Sequence, residues 1–399
     1  MKIAIIGGGA SGLMAGGFLA EQNEVVIFDG NEKAGKKLFI TGKGRCNITN
    51  NCSKEEFISN VVNGGKFMMS AINNFDCQQT MTFFEELGLN LKTERGNRVF
   101  PESDKSSDVI KTLLYHARNC QINLNEKVLV VSKEEQFFKV KTEKKSYLFD
   151  RVIIATGGKS YPATGSQGDG YKFAKMIGHE VVEPKGALVP IKIKDNFCAQ
   201  LEGLSLKNVT LKANINKKKK ELFGEMLFTF DAISGPIALS MSSYISGIED
   251  ISLSLDFKPA LTIQMLENRI LKDFEENLNK NISFIIKGLL PTRLVEIFLS
   301  KVGINKDRKV NSITISERKN IVNMLKNFKL DFAGLYDVKY GIITSGGVKL
   351  SEVNPKTMES KKTKGLYFIG EVLDVDCLTG GFNLQTAFST AYACAKYMN

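Results

Sequence analysis

Three glycines spaced Gly7-x-Gly9-x-x-Gly12 stand between a short apolar run, Ile3 to Ile6, and a helix-like stretch, Ala10 to Ala20. In that setting each glycine has a role that a side chain would block. Gly7 permits a tight turn, Gly9 lets the backbone approach a pyrophosphate, and Gly12 lets helix and strand pack closely. The amides of Ala10 and Ser11, at the positive end of the helix, face the same anion. A second apolar run, Glu24 to Phe28, ends at Asp29, whose carboxylate is placed to accept hydrogen bonds from an adenosine ribose. The pattern predicts a βαβ unit that binds a dinucleotide.

Other chemistry is thinly supplied. Two histidines, His116 and His179, lie far apart without neighbouring carboxylate patterns. They offer little for a metal site or a Ser-His-Asp triad, so no metal is expected and both read as surface or loop residues. The seven cysteines, at 46, 52, 77, 120, 198, 377 and 394, contain no C-x-x-C. Neither a disulfide framework, a dithiol centre nor a zinc ribbon is suggested, and a reducing cytoplasm is the expected location.

The elements that must position these residues are those of an α/β protein. At 399 residues the chain exceeds one core, and 43% hydrophobic with 24% charged residues excludes disorder and collagen-like repeats. Helical patterns occupy about 54–72, 77–88 and 106–119, followed by an antiparallel meander at about 127–131, 136–142 and 146–150. A buried strand, Arg151 to Ala155, comes next. The region 187–258 reads as strands with a hairpin tip at Lys217 to Lys220, and 259–330 as helices. Strands near 330–350, a buried strand Gly365 to Ile369 and a helix Asn383 to Tyr397 complete the sheet that the N-terminus begins. The run after Lys2 superficially resembles a secretory signal, but its glycines mark strand, turn and helix. The longest apolar run, Met226 to Ile245, is interrupted by Asp231, Gly235 and Pro236, so no membrane span is expected.

Two further glycine breaks follow buried strands, VIIATGG (152–158) and LYFIGE (366–371). With the N-terminal fingerprint they resemble the FAD domains of the glutathione-reductase-like superfamily. That resemblance implies an ATG-type turn at Thr156, Gly157 and Gly158, a late strand ending in Gly370 and Glu371 with Glu371 at the ribityl chain, and backbone groups of Val128 at adenine.

A closer likeness lies in GKKLFITGKGRCNITN (35–50), RVFPESDKSSDV (98–109), ATGGKSYPATGSQGDGY (155–171), GEMLFTFDAISGP (224–236), TSGGV (344–348) and GLYFIGEVLDVDCLTGGFNLQTAFSTAYACA (365–395). These segments resemble the BaiN/RdsA, or YhiN-like, family of NAD(P)/FAD-dependent oxidoreductases over nearly the whole chain. The resemblance implies a Rossmann-type FAD-binding domain made from both chain ends, 1–186 and 340–399. It is interrupted by a β-barrel-like insert, 187–258 with 328–339, and a helical insert, 259–327. It implies that Lys37, Gly44, Arg45, Cys46 and Asn47 lie on the flavin side, with Cys46 packed rather than nucleophilic. Gly381, Phe382 and Asn383 would open the last helix toward the isoalloxazine, and the small residues Ala387, Ala391 and Ala395 suit close packing of that helix with or without flavin. The chain departs from the pattern at Thr229-Phe230-Asp231-Ala232, where relatives often carry a histidine, and at Lys43, expected to point outward.

The expected activity is that of an FAD-dependent oxidoreductase moving hydride between NAD(P)H and a small organic, unsaturated substrate, with Arg45 and Tyr161 as candidate acids. A single nucleotide fingerprint means that NAD(P)H docks transiently or that another protein supplies the electrons. The net charge of +11 admits an RNA-modifying flavoenzyme. Against nucleic acid stand lysines scattered or gathered at turns and no recognisable binding module. A flavin-binding protein without turnover is the third reading. Substrate, preferred nucleotide and oligomeric state stay open.

Overall fold

The computed structural model describes residues 1–216 and 218–398, so one residue of the expected 217–220 turn lies outside the described residues. The chain divides into two compact units, Met1–Ala187 with Asp337–Asn399, and Leu188–Tyr336.

The first unit is built on five parallel strands. Their spatial order is Leu366–Phe368, Arg151–Ile154, β1 (Lys2–Ile6), β2 (Glu24–Phe28) and Gln121–Asn123. β1 and β2 lie inside the sheet and are buried after their first residue, which explains unbroken apolar runs in place of alternation. The chain's two ends meet in this sheet, as the late apolar run predicts. Between β1 and β2 runs α1 (Ala10–Leu19), buried along nearly its whole length. It packs against the final helix, Phe382–Met398, whose inward face is unusually polar. Gln385, Ser389 and Thr390 are fully buried, and each is satisfied. Gln385 Nε2 and Ser389 Oγ both donate to Phe75 O, while Thr390 Oγ1 accepts from the amide of Gly370 at 3.0 Å. The meander forms an antiparallel sheet of Val128–Glu134, Phe137–Thr142 and Ser146–Phe149.

Local signals missed some details. The single helix expected over 54–72 is two helices, Lys54–Ser59 and Gly65–Asn74, parted by a short strand, Val61–Asn63, and by Gly64 at φ +85°. Neither histidine is a surface residue. His116 Nε2 lies 3.1 Å from Met14 O with its ring against Phe18 and Phe83, and His179 is buried beside Ser360 and Glu352.

The second unit holds a seven-stranded antiparallel sheet. The helices Ile263–Glu275, Ile282–Lys287, Thr292–Val302 and Ile315–Lys326 share one apolar core with it, joining Leu211, Phe228 and Leu255 to Leu266, Phe298 and Ile321. The sequence reading separates a barrel-like from a helical insert; here they are one folding unit. Lys326 stitches them, pairing with Asp256 at 2.8 Å and donating to Lys258 O and Leu261 O. The helix Pro236–Ile245 lies inside the stretch read as strand, its start marked by Pro236 in the first turn.

Candidate functional site

The glycine turn has the geometry its spacing predicts. Gly7 sits at φ +112°, and a Cβ on Gly12 would lie 1.9 Å from Gly7 O, so α1 crosses the turn at a distance that only hydrogen allows. At Gly9 a Cβ would meet nothing within 4 Å. Gly9 is also the N-cap of α1 and brings no side chain to its first amides. Ala10 and Ser11 continue into the helix. Asp29 is held by donors from two directions, Gly8 N on Oδ2 at 2.9 Å and Asn31 N and Nδ2 on Oδ1 at 2.8 and 2.9 Å. An open turn, a helix start without a capping side chain and an oriented carboxylate at the end of β2 together fit the phosphate and ribose of a dinucleotide. Val128 begins the first meander strand, buried and paired with Thr142.

A second cluster gathers residues from four distant segments. Lys37 Nζ donates to Ser160 Oγ at 2.6 Å and to Glu371 Oε2 at 2.7 Å. Glu371 Oε1 accepts from Thr344 N at 2.9 Å and Ser160 Oγ at 3.2 Å, and Thr344 Oγ1 accepts from the amides of Lys159 and Ser160. Gly158 lies against this knot, since its Cβ would come 2.4 Å from Thr344 Oγ1 and 2.7 Å from Glu371 Oε1. Gly157 turns the chain at φ +71°, while the Thr156 hydroxyl is buried toward Gly170 without a hydrogen-bond partner. Gly370 packs on Ser11 of α1. Lys37 and Glu371 are thus brought together, though the polar groups between them, Ser160 and Thr344, carry no sequence signal beyond their motifs.

The segment Gly44–Asn47 divides in its roles. Arg45 is engaged on every side, with Nε on Asp104 at 2.6 Å, its terminal nitrogens on Glu94 and its guanidinium 4.2 Å over the Phe100 ring. Its hydrogen bonds to Glu94 and Asp104 raise its already high pKa further, so it holds its proton and has none to give. The sequence reading of Arg45 as an acid is therefore set aside. Cys46 is fully buried at φ +60°, and burial pushes its thiol up to about 12, as suits a packed residue. Asn47, in the amide orientation that satisfies its neighbours, accepts from Gly381 N at 2.9 Å and donates to Thr49 O and Val99 O. A Cβ on Gly381 would lie 2.3 Å from Thr49 O. Asn383 braces the same turn, exchanging bonds with Cys377 N and O, and Phe382 is buried against Phe57. Gly44 has open space around it, and Lys43 is exposed, as expected.

Tyr161 precedes a short 3-10 turn at φ +52°, and the residue is 37% exposed. Asp376 went unnoticed in the sequence. Buried to 1% exposure, it accepts from Ser345 Oγ at 2.8 Å on Oδ1, while Oδ2 has no partner, and burial raises its carboxyl to about 6. Only its position in the 365–395 segment could have flagged it.

A profile of the HI0933-like protein Rossmann domain matches residues 1–397. The chain belongs to this family. It is 31% identical, over 98% of its length and 96% of the relative's, to a ribosomal RNA dihydrouridine synthase of Haemophilus influenzae. It is 30% identical, over 99% and 98%, to a 3-dehydro-bile acid delta(4,6)-reductase of Clostridium scindens. Among solved structures, a quinol fumarate reductase FrdA chain of E. coli aligns at TM-score 0.50 with 16% identity, over 99% of this chain and 69% of that one. The 3-ketosteroid delta1-dehydrogenase of Sterolibacterium denitrificans also aligns at 0.50, with 12% identity over 100% and 99%. The fold is the Rossmann-type FAD-binding fold, and the chain is a member of a flavoprotein oxidoreductase family. No helix among the described residues is long and apolar enough to cross a membrane.

Proposed function

We propose that this chain reduces a carbon–carbon double bond conjugated to a carbonyl, using FAD and, as the source of electrons, NAD(P)H. The observation that carries the reading is full-length likeness to two kinds of relative whose names describe one kind of reaction. A delta(4,6)-reductase of a 3-dehydro acid and a dihydrouridine synthase both add hydrogen to such a bond.

The residues have assignable tasks. Gly9, Ala10 and Ser11 would offer backbone amides to the pyrophosphate, Asp29 would take the adenosine ribose, and Val128 would offer backbone groups to adenine. Thr156, Gly157 and Gly158 form the second turn, which would pack against the bound dinucleotide. Glu371, with Gly370 before it and Lys37 beside it, would hold the ribityl chain. Asn47, which holds the Gly381 amide, and Asn383 fix the Gly381–Phe382 turn, which would lie at the pyrimidine edge of bound FAD. Bound FAD supplies hydride transfer at its isoalloxazine ring. The proton required at the other carbon is assigned to the Tyr161 hydroxyl, since Arg45 is closed off by its carboxylates.

The test is an anaerobic titration of the purified, flavin-loaded chain with NADH and then NADPH, followed by candidate acceptors. Bleaching of the flavin band, and its return on adding a 3-keto-4,6-diene steroid, is the expected result. Bleaching that no conjugated alkene reverses overturns the reading. Tyr161→Phe is expected to lower kcat about 10²-fold or more while leaving KM little changed.

A second reading, reduction of uracil in ribosomal RNA, is favoured by the rRNA-named relatives and by the net charge of +11, which together offset the absence of a recognisable RNA module. Return of the flavin band on adding an unmodified rRNA fragment, with binding that weakens as salt rises, would select it over a small acceptor.

A further inference from the structure

Cys52 and Cys77 share no motif, yet the fold brings their sulfurs to 3.8 Å. The approach is clamped from both sides. Gln78 Nε2 donates to Asn51 Oδ1 at 2.6 Å, and Lys54 pairs with Asp76 at 3.4 Å. Asp76 and Gln79 form a capping box on the helix Cys77–Glu86, fixing Cys77 as its first residue, at the positive end of the helix.

The two thiols titrate as a pair. The contact between the two sulfurs lowers the pKa of Cys77 and, with burial, raises that of Cys52, since one proton lies between them. Cys46, Cys120, Cys198, Cys377 and Cys394 are all pushed up, chiefly by burial. Cys77, at the start of the helix, is therefore the better-placed nucleophile, with Cys52 held against it.

We propose that Cys52 and Cys77 form a reversible dithiol–disulfide centre oxidised by small hydroperoxides. The steps balance. The Cys77 thiolate attacks one oxygen of hydrogen peroxide, the O–O bond breaks, and Cys77 becomes a sulfenic acid while hydroxide leaves. That hydroxide takes the proton of Cys52, giving water. The Cys52 thiolate then attacks the Cys77 sulfur, the S–S bond forms, and a second hydroxide leaves and is protonated by the proton Cys77 first released. Two thiols lose two electrons in total, and one peroxide becomes two waters. Both residues are buried, Cys52 at 8% and Cys77 at 1% exposure, which restricts the oxidant to something as small as hydrogen peroxide.

The segment that carries Cys52 also braces the turn before the last helix. Asn50 Nδ2 donates to Gly380 O at 3.0 Å, and Thr49 Oγ1 donates to Gln385 Oε1 at 2.5 Å. Drawing Cys52 onto Cys77 therefore pulls on the Gly380–Gly381 turn. This consequence rests on the proposed placement of the flavin at that turn; formation of the disulfide does not.

The test treats the full-length chain with hydrogen peroxide, blocks remaining thiols with iodoacetamide in denaturant, and maps peptides by mass spectrometry. A peptide linking Cys52 to Cys77, released by dithiothreitol, is expected, with Cys377 still alkylated. Alkylation of Cys52 and Cys77 as complete as that of Cys377 overturns the proposal. Cys52→Ser should trap Cys77 as a sulfenic acid that dimedone labels, and Cys77→Ser should leave Cys52 unlabelled. In flavin-loaded protein the oxidised pair should shift the flavin absorbance band, and Cys52→Ser should abolish the shift. A disulfide without a shift overturns the link to the turn while the centre itself stands.

Discussion

Two ionic clusters in the first unit use the same kinds of side chain to different ends. In one, Lys37 and Glu371, each 21% exposed, join segments hundreds of residues apart through Ser160 and Thr344. In the other, Arg45 meets Glu94 and Asp104, with Lys92 also on Asp104, nearer the surface. Both contain a cation that sequence pattern marks as functional. The difference lies in what surrounds it. Arg45 is saturated by two carboxylates and an aromatic face, whereas Lys37 shares a carboxylate that backbone amides and hydroxyls also hold, beside the second glycine turn. A cation in a motif is therefore not by itself a free charge; its partners decide whether it can act.

The sharpest way to separate the clusters is a single methyl group on a glycine of each. Gly158→Ala drives a Cβ to 2.4 Å from Thr344 Oγ1 and 2.7 Å from Glu371 Oε1, so the Lys37–Glu371 knot must open. A loss of about 3 kcal/mol and weakened flavin retention are expected in thermal melts and absorbance. Gly44→Ala beside Arg45 meets nothing within 4 Å and suffers only from its φ of +85°, which costs about 1 kcal/mol. Equal losses in the two variants would remove the distinction drawn between the clusters.

Opposite pH dependences sharpen it further. Ser345, next to Thr344, donates to Asp376, whose carboxyl burial raises to about 6. The folded protein therefore holds that proton more tightly than the unfolded chain, and stability from this group is present below about pH 4 and lost as pH rises through about 6. Hydrogen bonds from Arg45 hold Glu94 below the ordinary carboxylate range, and those from Lys92 and then Arg45 do the same for Asp104. Their contribution is present above about pH 4 and lost as pH falls. Asp376→Asn should stabilise the protein at pH 7.5 by up to about 3 kcal/mol and change little at pH 4. Melting curves at both pH values check the sign; stabilisation confined to pH 4 would refute it.

The parts legible in the sequence are those where backbone geometry forces residue choice. Gly7, Gly9, Gly12 and Asp29 are read directly, because a turn, an open approach and a helix crossing each demand a particular residue. The parallel sheet is read from its unbroken apolar strands. Long-range polar partnership is not legible. Nothing local to Arg45 announces Glu94 and Asp104, and nothing local to Cys52 announces Cys77. The histidines fail for the same reason, since Gly17 opens the space that His116 fills. The break between Lys54–Ser59 and Gly65–Asn74 was missed because apolar periodicity continues across it while Gly64 changes the backbone.

Within the inner cluster, Lys37→Met leaves Glu371 with its amide and hydroxyl donors but without its counter-charge. Because a fifth of each side chain is exposed, solvent screens part of the loss, and about 1 kcal/mol is expected. Glu371→Gln in the same chain should recover part of it. A double-mutant cycle with no coupling would show that the two groups do not depend on each other.

Arg45→Ala is expected to have the smallest effect. It removes a cation from a cluster whose carboxylates remain near water, where they recover hydration once unpaired. Lys92 still neutralises Asp104 at 2.6 Å, so only Glu94 is left without its partner. The main loss is then the packing of the guanidinium over Phe100. A melting temperature within a few degrees of the parent is expected, with a difference that shrinks further as salt rises, because screening weakens in both proteins only what surface charge contributes. Turnover should follow the same pattern if Arg45 takes no part in proton transfer. A large drop in kcat at unchanged stability would return it to the chemistry and make its ion pairs a way of positioning it.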